Sequence, residues 1–198
     1  MKMHWQKYVA ELLGAGVLTL AVLVTLKFPT AVATPLAAGL TLGLFVYTIG
    51  SVSGSHINPA VTLGLWSVRK IETFEAVLYI IAQILGGFLA MTAFSSLFGE
   101  LPTVNAASVP MTFVGEAVGA FLFLLGIMAV VSEKVKPGAA GVVIGGSLLL
   151  GILIASPLSN GVLNPAVAIG IRSLSWAYIL GPIAGAIVSC WFARWLLK

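Results

Sequence analysis

An all-α membrane protein, with six transmembrane helices, two re-entrant half-helices and an inverted internal repeat, is the fold class this sequence predicts. Three observations predict it. There are six long apolar runs, two short apolar segments that each open on Asn-Pro-Ala, and a self-similarity between the two halves of the chain. Composition sets the solvent. Of 198 residues, 60% are hydrophobic and 8% charged, against roughly 25% charged in a soluble domain. So few charges cannot cover a water-facing surface, and bilayer lipid must contact most of the exterior.

A spanning helix needs about 20 apolar residues to cross roughly 30 Å of hydrocarbon. The six runs that are long enough fall near residues 8–26, 34–52, 74–97, 110–132, 138–155 and 175–197. Their joints carry punctuation: Lys27-Phe28-Pro29, Arg69-Lys70, Gly99-Glu100-Leu101-Pro102, the stretch from Glu133 to Gly138, and Arg172-Ser173. Short connections leave one compact membrane domain over residues 1–198. The start, with Lys2 and Lys7 before an apolar stretch, could imitate a signal peptide. Its apolar run is too long, lacks a clean cleavage site and has a partner later in the chain, so a retained helix is expected.

Positive charge sets the orientation. With both termini in the cytoplasm, Lys2, Lys7, Arg69, Lys70, Lys134, Lys136, Arg194 and Lys198 fall inside, and only Lys27 and Arg172 outside. The net charge of +4 is therefore read as topology, not as nucleic-acid binding. Trp5, Trp66, Trp176, Trp191 and Trp195 fall near span ends and are expected as interfacial anchors.

Residues 58–66 and 164–172 are apolar but only about nine residues long, or about 13 Å as helix. Neither crosses alone. End to end they reach about 27 Å, close to one bilayer core. Each is expected as a half-helix entering from its own face. The repeat places them: Asn58-Pro59-Ala60-Val61 recurs as Asn164-Pro165-Ala166-Val167, 106 positions later. Upstream, the segment around Glu11 recurs around Glu116, 105 later, and Tyr79, Ile80 and Gly86 recur as Tyr178, Ile179 and Gly185, 99 later. The halves are about 1–100 and 108–198. Three spans per half is an odd number, so the second half runs inverted, and such a repeat puts its transport site at the midplane.

Asn is a strong helix cap and Pro is favoured at the first helical position. A single Asn-Pro need mean no more than a helix start. Two at matching positions mean more. If each Asn carbonyl caps its own helix, only amide N–H donors remain. Two such donors facing each other would hold one water by its oxygen and interrupt a proton wire. The two helix N-termini add positive partial charge, which disfavours cations.

The segment Ser53-Gly54-Ser55-His56-Ile57-Asn58-Pro59-Ala60-Val61-Thr62-Leu63-Gly64-Leu65-Trp66 closely resembles the first signature loop of the aquaporin (major intrinsic protein) family, and Leu163-Asn164-Pro165-Ala166 resembles the second. The resemblance covers nearly the whole chain. It implies an aquaporin-like right-handed bundle, a pore in every protomer that passes water and small neutral solutes, and a homotetramer in a cell membrane. It also implies that Glu11 and Glu116 accept hydrogen bonds from the backbone of the re-entrant loops; the alternative is snorkelling to the headgroups. His56 is implied near the cytoplasmic side of the pore, lining it, gating it with pH, or serving a structural role in the loop. Gln83, Gly86 and Gly87 are expected to serve packing, and Thr62 and Ser67 to lie on a helix surface.

The chain departs from the family at the selectivity filter. Members normally place Arg three residues after the second Asn, where Val167 stands. Arg172 lies five residues further on, about 140° around a helix. Spacing from the two Asn residues carries over the other filter positions as Ala38, Ile152 and Gly161. The filter is expected to be small-sided, apolar and uncharged, hence wider and less wettable. A neighbouring side chain or a shifted loop could refill the space.

Other functions find little support. An ion-coupled secondary transporter needs polar ligands at midplane, and the chain has no Asp. An intramembrane enzyme lacks an aspartyl pair, an HExxH motif and a Ser–His–carboxylate set. A closed-pore member with a structural role is the remaining alternative. One cysteine and two histidines support no metal site, and no cofactor is expected.

Overall fold

The structure, a computed structural model, describes residues 4–28, 31–102, 104 and 109–198. Of the positions used above, Lys2, Pro29 and the half-boundaries Met1 and Ser108 lie outside them. The described residues form eight α-helices: α1 (Trp5–Lys27), α2 (Thr34–Ser53), α3 (Pro59–Ser67), α4 (Thr73–Phe98), α5 (Val109–Val131), α6 (Ala140–Ala155), α7 (Pro165–Gly170) and α8 (Trp176–Leu196). A 3₁₀ turn, Pro137–Ala139, leads into α6. Among the described residues, six helices are long and apolar enough to cross a membrane, α6 together with its leading turn. The chain is a multi-pass membrane protein.

Each half contributes three spanning helices and one short one, and the packing repeats with them. α1 packs on α4 as α5 packs on α8, and α1 on α2 as α5 on α6. α3 lies against α8 as α7 lies against α4. The pairs α2–α6 and α3–α7 map onto themselves and join the halves. Without a hydrophobic driving force between helices in lipid, close approach depends on small residues. Gly86 meets the Leu12 carbonyl of α1, and its repeat partner Gly185 meets the Ala117 carbonyl of α5. A Cβ on Gly39 would stand 2.7 Å from the Gly145 carbonyl oxygen, and one on Gly43 2.8 Å from that of Gly141. That closeness fixes the α2–α6 seam.

The first half-helix has the expected nine residues, but the second is shorter than predicted: α7 has six, ending at Gly170. The reason is local. Arg172 takes a left-handed conformation (φ 57°). Its N–H donates to the Ile169 carbonyl (3.1 Å), and Ser173 N–H donates to Ala168 (2.9 Å). These two bonds close the helix as a Schellman motif. α3, which ends at Ser67, is closed the same way: Arg69 is left-handed (φ 62°), Arg69 N–H donates to Trp66 (2.9 Å) and Lys70 N–H to Leu65 (2.9 Å). The long helices start within three residues of the predicted runs. α1 starts three residues earlier, at Trp5, and its Lys7 pairs with Glu75 at the start of α4. All five tryptophans are exposed side chains at or near helix ends.

Candidate functional site: the meeting point of two half-helices

Asn58 caps α3, its Oδ1 accepting from Ala60 N–H (2.9 Å). Asn164 caps α7, its Oδ1 accepting from Ala166 (3.0 Å) and Val167 (3.4 Å). Proline occupies the first position of both helices, where its fixed φ suits the helix and its missing N–H is not needed. The two caps also bind across the repeat. Asn58 Nδ2 donates to the Leu163 carbonyl (2.9 Å), and Asn164 Nδ2 donates to the Ile57 carbonyl (3.0 Å). Each amide carries two N–H donors, so one remains on each for a passing group. Sequence reasoning left two donors per amide free. The carbonyls that take one of each belong to residues outside the Asn-Pro-Ala motif.

Those carbonyls are aimed by uncommon backbone. Ile57 has φ 41° and Leu163 φ 53°, in the left-handed region that β-branched and bulky side chains rarely adopt. A strained conformation persists when its surroundings over-determine it, and here two buried carboxylates do so. Glu11 Oε1 accepts from Ser53 Oγ (2.6 Å) and His56 N–H (2.9 Å), and Oε2 accepts from Ile57 N–H (2.6 Å). Glu116 repeats this with Ser159 Oγ (2.8 Å), Val162 N–H (2.9 Å) and Leu163 N–H (2.6 Å). Both carboxylates are fully buried, whereas snorkelling needs an exposed charged end. Irregular backbone within a membrane needs partners of this kind.

The halves differ in one respect. In the first, Gln83 Nε2 donates to Glu11 Oε2 (2.7 Å) and to Thr62 Oγ1 (3.0 Å), and Thr62 lies 3.1 Å from His56 Nδ1. Thr62 is completely buried and does not lie on a helix surface as expected. Gln83 joins a polar network in place of a packing role. Their repeat partners are Ala168 and Pro182, whose side chains carry no donor to repeat those bonds at Glu116. Gly87 does serve packing, its α-carbon facing the Ala166 carbonyl of α7. Ser67 is partly buried, its hydroxyl donating to the Gly64 carbonyl (2.6 Å).

Two cavities lie in this region. The first, of about 210 Å³, is lined by both Asn58 and Asn164, and by Ala38, Ile152, Gly161 and Val167. All four positions carried over by spacing thus face one space. The second, of about 290 Å³, opens toward Lys70 and is walled by residues such as Val61, Leu65 and Ile144. His56 lines both. Pro59, Ala60, Pro165 and Ala166 are buried behind the asparagines. Arg172 is exposed and lines neither cavity. Gly161 takes φ 60°, and a Cβ there would lie 2.8 Å from the Ile152 carbonyl oxygen. Glycine is therefore what lets this loop close against α6. Ser156 Oγ donates to the Ile152 carbonyl (2.6 Å) and Asn160 Nδ2 to Tyr178 Oη (2.6 Å). Two polar side chains of the first cavity are thus tied to the wall.

A membrane bundle of inverted repeats, with two half-helix N-termini abutting at one cavity, is the architecture of a channel. The sequence model described as Major intrinsic protein matches residues 1–192. The chain belongs to the major intrinsic protein family. It is 35% identical to the glycerol uptake facilitator protein-like 6 of Lactiplantibacillus plantarum, over 96% of this chain and 97% of that one. It is 34% identical to Aquaporin Z of Photorhabdus laumondii, over 92% and 94%. Among solved structures it is similar in fold to the aquaglyceroporin from Plasmodium falciparum, with a TM-score of 0.80 over 96% of this chain and 95% of that one at 24% identity.

Proposed function

We propose that this protein is a passive channel, not an enzyme, and that water and small uncharged solutes cross it between α3 and α7. One observation carries the reading: Asn58 and Asn164 line one cavity together, each with an amide donor left after its cross-repeat bond, while their side-chain carbonyls are engaged as caps. A solute's oxygen or nitrogen can accept from both. A cation finds donors and the positive ends of two half-helices, which raise its barrier.

Asn58, Pro59, Ala60, Asn164, Pro165 and Ala166 form the narrow central part in this reading. Ala38, Ile152, Gly161 and Val167 form an apolar filter, His56 lines the inner side, and Glu11 and Glu116 brace the two loops. An aliphatic filter offers a solute no side-chain hydrogen bond and discriminates little among small neutral molecules. The whole chain works as one channel domain, with inverted halves of about 1–100 and 108–198. Family membership supports a homotetramer with a pore in each protomer. The distribution of Lys and Arg supports a cell-membrane protein with both termini cytoplasmic.

Stopped-flow permeability of proteoliposomes tests this, with a panel of water, glycerol, urea, ammonia and protons. The expected result is flux of neutral species above empty vesicles and a proton leak at the empty-vesicle level. Val167→Arg should narrow the panel by lowering glycerol and urea flux more than water flux. Neutral flux no greater than that of empty vesicles would refute the channel reading.

A further inference from the structure

A third cavity lies away from the conduit, where the C-terminal ends of α3, α5 and α8 come together. It measures about 380 Å³ and is lined by Arg69, Lys70, Arg194 and Ser132, and by Val68 and Met128. Val68 and Met128 are buried, while the three cationic side chains are exposed. Among the described residues, none of the three has a carboxylate within ion-pair distance; the ion pair found joins Lys7 and Glu75. Arg194 lies over the Trp191 ring, 5.5 Å from its centroid. That contact leaves the planar guanidinium edge free to donate. The left-handed turn at Arg69 ends α3 so that both Arg69 and Lys70 border the same hollow.

We propose that this pocket binds the phosphate of an anionic ligand, either the headgroup of an acidic phospholipid or a soluble phosphate. Three unpaired cations line one hollow, together with a serine whose hydroxyl can donate. Phosphate accepts strong charge-assisted hydrogen bonds from such a set. Basic pockets between helices at a membrane surface suit lipid headgroups. The competing account is that the cations only complement the negative ends of three helices, which predicts no ligand preference. Lys70 also lines the inner cavity that holds His56. Lys70 thus borders both hollows. Binding itself does not depend on which solute crosses.

The test uses the full chain, purified in zwitterionic detergent, with thermal unfolding as the readout. Phosphatidylglycerol, phosphatidylcholine and inorganic phosphate are titrated separately. Stabilisation by phosphatidylglycerol and not by phosphatidylcholine or phosphate assigns the site to a lipid headgroup. Stabilisation by phosphate alone assigns it to a soluble anion. In either case the triple variant Arg69→Gln, Lys70→Gln, Arg194→Gln should raise the half-maximal concentration on the order of 100-fold, and Arg194→Gln alone about fivefold. Lys134→Gln with Lys136→Gln, which changes exposed cations that do not line the pocket, should leave it unchanged. Equal responses to the two lipids without a response to phosphate, an equal loss in the Lys134/Lys136 variant, or no response to any ligand overturns the proposal.

Discussion

At the scale of single residues, the two buried glutamates do comparable work with unequal support. Each carboxylate accepts two backbone N–H bonds and one serine hydroxyl, but only Glu11 also has Gln83. Replacing Glu116 by Leu leaves those donors without partners where water is scarce. The expected loss is about 3–5 kcal/mol, read as a large fall in the unfolding temperature in detergent. Glu116→Gln retains one acceptor oxygen and should lose less than half as much. Gln83→Leu should destabilise by about 1–3 kcal/mol, because Glu11 and Thr62 each lose a partner. Equal stability of Glu116→Leu and the parent protein would show that the loop is held by other contacts. The glutamates could be read in the sequence because an ionisable residue inside an apolar run is unusual and occurs twice at one spacing. Their serine partners, Ser53 and Ser159, share the 106-residue offset of the asparagines and could have been found by extending the repeat upstream. Gln83 and Thr62 have no repeated copies, so no signal marked them.

At the scale of elements, hydropathy and repeat spacing locate all eight helices but not every end. Run length finds the six spans because lipid requires about 20 apolar residues. The end of α7 was hidden, since Ile171 continues the apolar pattern and a left-handed Arg172 has no signature in composition. Helix contacts were legible only where glycine recurs, as at Gly86 and Gly185. Those contacts make an opposed pair of predictions. Gly185→Ala places a methyl group against the Ala117 carbonyl and should destabilise by about 1–3 kcal/mol. Gly146, in α6, has nothing within 4 Å of an added Cβ. Gly146→Ala should be neutral or stabilise by about 0.5–1 kcal/mol through helix propensity. Thermal unfolding of the two variants beside the parent protein checks both, and a stable Gly185→Ala would mean that α8 can shift from α5 at little cost.

At the scale of the whole molecule, every helix pair of one half finds its counterpart in the other, and the proposed conduit lies where the halves cross. The cross-repeat bonds from Asn58 to Leu163 and from Asn164 to Ile57 tie the two ends together at that point. A single Asn58→Ala substitution removes a cap, a bridge and a conduit donor at once. It should lower both stability, by about 1–3 kcal/mol, and neutral-solute flux. The fold was legible because the repeat gives each element a coordinate relative to an asparagine, and the family's spacing from the same asparagines names Ala38, Ile152, Gly161 and Val167, which line one cavity. The side pocket between α3, α5 and α8 was not legible, because residues so distant in sequence meet only once the helices are packed.

The conduit between the half-helices is tested most directly by plugging it. Val167 stands in the first turn of α7 and lines the first cavity, so Val167→Trp fills that space from a fixed helical position. Stopped-flow water permeability of proteoliposomes, normalised to protein content and to vesicles of equal size, should fall to the empty-vesicle level while the unfolding temperature stays close to that of the parent protein. Parent-level water flux in a folded Val167→Trp protein would contradict a path along α7.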